Sequence, residues 1–112
     1  MDTTEVEKAK ALIIVEVIEY IPNSVGRKTI IKKSTGNISA VSIDSGEELT
    51  EKILPFDTFV QIIDGKADIV IDGVSNFLDA GQSIVIPAHT SNVVKAHERF
   101  KMIRTIIKSG YE

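Results

Sequence analysis

The chain has 112 residues, enough for one domain and too few for a separate regulatory module. Apolar residues at 43% and charged residues at 26% describe a folded chain, and 13 basic against 16 acidic side chains supply no broad cationic surface for nucleic acid or an anionic membrane. With no cysteine there is no thiol nucleophile, disulfide or Cys-ligated metal, and only His89 and His97 carry imidazole.

The 18 Ile and 11 Val against 4 Leu favour pleated surfaces over helices. At the start, Asp2, Glu5 and Glu7 stand where an export signal would carry positive charge, and the run Ala11 to Val15 is too short to cross a bilayer. A cytoplasmic location is expected. Thr3 or Thr4 can cap a short helix through Ala11, while residues 13–17 can equally form an edge strand. Strands are then predicted over 28–33 and 38–43, separated by a turn at Thr35-Gly36-Asn37. Asp64-Gly65, Asp72-Gly73 and Ala80-Gly81 punctuate the next stretch every eight residues, which predicts a meander of strands over 58–63, 66–71, 74–78 and 83–86. Two more are expected over 91–96 and 100–108. So many short strands in one chain make an all-β domain spanning residues 1–112, either a sandwich or a closed barrel. The cluster Arg27, Lys28, Lys32 and Lys33 is interrupted by Ile30 and Ile31 and reads as a solvated strand rather than a nucleic-acid footprint.

From Gly46 there are five residues to Lys52, one to Leu54, three to Thr58 and six to Gly65. Fifteen residues later Gly81 is followed by five residues, Pro87, Ala88, His89, two residues, Asn92 and, after three more, Ala96. This spacing resembles the two motifs of the cupin family, over residues 46–96. The resemblance implies a jelly-roll β-barrel with a site inside its wide end and, in most members, a bound transition metal. The family's ligand positions are matched here by Lys52, Leu54, Thr58 and Asn92. Protonated Lys and Leu offer no lone pair, and Thr and Asn are weak neutral donors, so no metal cofactor is expected. His89 occupies a family glycine position, and nothing in the spacing joins it to His97.

A period of two places Thr50, Lys52 and Leu54 on one face, which the resemblance turns toward the cavity. An ammonium there must reach the open mouth, meet an anionic ligand or titrate low as a base or imine-forming nucleophile. Asp57 is expected to be a turn residue bonded to its own backbone, with a role as acid or base the alternative. The first functional expectation is a metal-free cupin that binds a small organic molecule, anionic if Lys52 faces it, at Lys52, Leu54, Thr58 and Asn92. Two alternatives stand beside it: a metal-independent isomerase or lyase using Lys52 or Asp57, and an interaction scaffold whose outer strand face makes the contact. Exposed apolar strands, with Leu12 to Val15 and Ile103, Ile106 and Ile107 as candidates, also make a homodimer the expected assembly.

Overall fold

β-branched runs become strands where alternate residues can be buried, and the computed structural model, which describes residues 5–108, contains eight of them. They are β1 (Val25–Lys33), β2 (Gly36–Ile43), β3 (Glu48–Thr50), β4 (Thr58–Ile71), β5 (Val74–Asp79), β6 (Ser83–Ile86), β7 (Asn92–Lys95) and β8 (Phe100–Ile107). The order β1-β2-β8-β4-β7-β3 is antiparallel throughout, and β5 and β6 also pair with β4. One end of β4 thus belongs to a sheet with β1, β2, β6 and β8, and the other to a sheet with β3, β5 and β7. Inward-facing Val41, Ile43, Val60, Ile62, Ile69, Val94, Phe100 and Met102 fill the space between the two sheets. This is the jelly-roll barrel that the resemblance implies.

The predicted turn at Asp64-Gly65 is a correction. β4 runs unbroken through both residues, with a register shift against β8 between Ile62 and Asp64. Gly65 has φ +76°, and a Cβ there would run into the Arg99 carbonyl oxygen, so the dipeptide makes a bulge that bends one strand from one sheet into the other. At Asp72-Gly73 the expectation holds, with φ values of 48° and 80° in a two-residue hairpin of the primed kind.

The N-terminal expectations also need revision. Thr3 and Thr4 lie outside the described residues. Residues 5–11 form no helix and 13–17 no strand, and one 3₁₀ turn covers Ile14–Glu16. The segment is a strap over the outer face of the β1-β2-β8 sheet, where Ile18 packs on Ala40 and Ile103. Its carbonyls are met by side chains instead of a neighbouring strand: Lys101 Nζ donates to Val15 O at 2.6 Å and Ser42 Oγ to Glu19 O at 2.9 Å. β8 sits between β2 and β4, so Ile103 and Ile106 are buried in a central strand and are not edge residues.

Tyr20 locks the strap. Its ring lies 4.4 Å from the Arg99 guanidinium and 4.9 Å from Lys101 Nζ, and its hydroxyl donates to Asp64 Oδ2 at 2.7 Å. Burial, and then the Asp64 carboxylate, push the phenol above its ordinary range. A folded-state pKa raised this way contributes stability below about pH 10 that is lost as pH rises beyond the unfolded tyrosine's pKa. Tyr20→Phe keeps the ring on its cations but deletes the hydrogen bond, and should cost about 1 kcal/mol in urea unfolding at pH 7. The alkaline loss of stability should shrink in the variant. An unchanged midpoint and an unchanged alkaline limb would count against the strap being anchored here.

Candidate functional site at the barrel mouth

The four residues at the family's ligand positions do come together. Lys52, Leu54, Thr58 and Asn92 line one small cavity with Glu51 and Arg104, at the end of the barrel closed by the β3–β4 and β6–β7 loops. Thr58 opens β4 on its inward phase and is buried, as is Asn92 at the start of β7. Lys52 and Leu54 are placed differently from the expectation. In β3 the covered residue is Leu49 and Thr50 is exposed, so the expected phase is reversed, and the strand ends at Thr50: Lys52 is exposed and Leu54 half-buried. The exposure of Lys52 fits a stem that reaches the open mouth.

Leu49, packed against the core, sets the inward phase of this segment, and Glu51 follows it. Glu51 Oε1 lies 2.9 Å from Arg104 Nη1, with the two side chains 16% and 9% exposed. The contact brings the charges together without an aligned hydrogen bond, since Glu51 Oε1 meets no donor in good geometry among the described residues. Asn92 Oδ1 is likewise buried without a donor. Burial lowers the affinity of Arg104 for its proton, Glu51 opposes that shift, and the charge of Arg104 is further disfavoured by nearby Arg27. The free volume among these groups is ≈ 10 Å³, about the space of one water.

Arg104 and Glu51 are the site residues that sequence reasoning missed. The signal for Arg104 was present: it continues the inward phase of Phe100 and Met102 on β8, where a guanidinium is out of place unless paired. Glu51 is hidden in the sequence because a period of two through Thr50, Lys52 and Leu54 gives it the outward phase.

The loops that close the mouth are tied to each other. Asp57 Oδ1 accepts the Ala88 N–H at 2.8 Å and Leu54 O accepts the His89 N–H at 2.7 Å. Asp57 thus ties the β3–β4 loop to the β6–β7 loop through Oδ1. His89 has φ +61°, the left-handed conformation that suits the glycine of the family motif, and its side chain is exposed. His97 lies in the turn after β7, at the other end of that strand from the mouth.

The donor set does not suit a transition metal. Lys52 and Leu54 bring no lone pair to it, and among the described residues no three His, Asp or Glu side chains are grouped to hold an ion. No helix among them is long and apolar enough to cross a membrane.

No family model matches the chain, and no curated protein matches it. Solved structures do. A conserved protein of unknown function from Streptococcus pyogenes is 28% identical with a TM-score of 0.88, over 95% of this chain and 93% of that one. A cupin-superfamily protein from Desulfitobacterium hafniense is 24% identical with a TM-score of 0.86, over 95% and 97%. A cupin 2 conserved barrel domain protein from Leptotrichia buccalis is 29% identical with a TM-score of 0.80, over 84% of this chain and 46% of that one.

Proposed function

We propose that this chain, which has the cupin fold as a small barrel without the usual metal-ligand residues, is a binding protein for a small anionic organic molecule held at the barrel mouth. The observation that carries the proposal is the charge of the lining: Lys52 and Arg104 face a single carboxylate, Glu51. An anion would be drawn to the excess positive charge, with Arg104 able to grip a carboxylate or phosphate through two N–H groups and Lys52 adding a point charge from the rim. Thr58 and Asn92 supply further polar contacts. Because the mouth holds only ≈ 10 Å³, binding requires Glu51 to give up Arg104, and the irregular segment between β3 and β4 is the element that would move.

The proposal includes a homodimer, supported by an apolar row on the outer face of one sheet. Pairing register aligns Ile31, Ile38, Thr105, Phe59 and Val85 across five strands, and Ile31, Phe59 and Val85 are 37% to 54% exposed.

The test is thermal unfolding with small mono- and dicarboxylates and phosphate esters. An anion present at a hundred times its dissociation constant adds about 2.7 kcal/mol, on the order of 10 °C for a chain of this length. Lys52→Met should leave the ligand-free protein within about 0.5 kcal/mol of wild type, because the side chain is exposed, and should reduce the anion response. If no anion shifts the transition, the binding proposal fails.

A further inference from the structure

A second polar feature lies away from the mouth. Asp68 sits in β4 between Ala67 and Ile69, both of which point into the core, so its carboxylate is on the outer face of the β3-β7-β4-β5 sheet. A carboxylate there would ordinarily be in water, yet Asp68 is only 4% exposed. Its Oδ2 accepts from Ser75 Oγ at 3.3 Å and lies 3.3 Å from His97 Nε2. Its Oδ1 is buried and meets no hydrogen-bond donor among the described residues. Lys95, its cross-strand neighbour on β7, sends its ammonium to Glu48 at 3.8 Å.

Asp68 lines a groove of ≈ 210 Å³ between β5 and the turn that follows β7. Phe77 stands beside it as the cross-strand neighbour on β5 and is 71% exposed, an aromatic face left to solvent. Leu78 adds apolar surface, while Asp79 and Glu98 place two more carboxylates on the lining against one ammonium, Lys66. The groove therefore offers negative charge, a buried acceptor short of a donor, and an aromatic wall.

We propose that this groove is a second binding site, specific for a small organic cation, a primary ammonium or guanidinium carrying a short apolar tail. The cationic head offsets the surplus of carboxylates and, with a local shift that uncovers the buried Asp68 Oδ1, brings that oxygen the N–H donors it lacks, while the tail lies on Phe77, whose ring also attracts the positive charge. A metal ion is a poorer occupant, because no three ligating side chains converge here or elsewhere among the described residues. The volume lies below the roughly 300 Å³ at which drug-sized pockets begin, which limits the guest to a small amine. The site is independent of the barrel mouth: the two share no lining residue.

The test uses the full chain, ¹⁵N-labelled, titrated with phenethylammonium chloride and in parallel with 2-phenylethanol, its uncharged counterpart. Saturable shifts of the amides at 66–68, 77–79 and 97–98 are expected with the ammonium, with affinity at least tenfold weaker for the alcohol. Asp68→Asn should lower the ammonium affinity at least tenfold, and Phe77→Ala, at an exposed position, at least threefold with the fold intact. If Asp68→Asn fails to fold, the Phe77→Ala variant and the alcohol comparison decide. Equal binding of alcohol and ammonium, shifts confined to the barrel mouth, absence of saturation, or wild-type affinity in Phe77→Ala would each overturn the proposal.

Discussion

Replacing Arg104 with Met should destabilise the protein by about 3 kcal/mol, because it strands the Glu51 carboxylate in a mouth where that side chain is only 16% exposed. Removing one member of a buried ion pair costs more than the pair itself is worth, since the remaining charge keeps its desolvation penalty without its partner. The double variant Arg104→Met with Glu51→Leu should therefore recover most of the loss, to within about 1 kcal/mol of wild type, as an apolar pair of similar bulk. Glu51→Gln separates stability from binding. It leaves Arg104 facing a neutral amide, which should lower ligand-free stability, yet it removes the internal carboxylate that competes with an anion and should raise anion affinity. Chemical unfolding of the four proteins, with and without the strongest anion of the thermal series, reads all of these terms. If Arg104→Met costs less than about 0.5 kcal/mol, the guanidinium is not held as a buried partner, and the mouth loses the cation on which anion binding depends.

Gly65→Ala should be comparably severe, losing roughly 3 kcal/mol or preventing folding. Two penalties coincide there. The backbone has φ +76°, which costs a residue with a Cβ about 1 kcal/mol, and the added methyl would press on the Arg99 carbonyl oxygen and come within 2.9 Å of Phe100 Cα, backbone atoms that cannot rotate away. Gly73→Ala is the control. It has φ +80° but open space around a new Cβ, so it should show only the conformational penalty of about 1 kcal/mol. Equal losses at the two glycines in denaturant unfolding would mean that the close approach of β4 to the turn before β8 contributes nothing. The larger loss at Gly65 would explain in physical terms why the first motif ends on glycine: this is where one strand turns from one sheet into the other.

What the sequence determined alone is an all-β chain and most of its strand spans, the barrel being implied only by the resemblance of the spacing over residues 46–96. Their signals are local, since β-branched runs, a period of two and turn residues such as Asp72-Gly73 act over a few neighbouring residues. The span 83–86 needed no correction, and β1, β2, β5, β7 and β8 differ from their expected limits only at the ends. Lys52, Leu54, Thr58 and Asn92, picked out by the spacing from Gly46 to Ala96, line one cavity. Tertiary structure decided how each of them is placed there. Asp64-Gly65 carries the same local signal as a hairpin turn, and only the pairing of β4 with β8 on one side and β5 on the other makes it a bulge. Lys52 is turned outward because the inward phase of its segment falls on Leu49, which packs on the core, and passes to Glu51. The charge that governs the mouth comes from Arg104, more than fifty residues from Glu51 in the chain: the phase of β8 marks Arg104 as inward, but no local pattern names its partner. The N-terminal strap was illegible for the same reason: its backbone is satisfied by Ser42 and Lys101, side chains that only the folded sheet places beneath it.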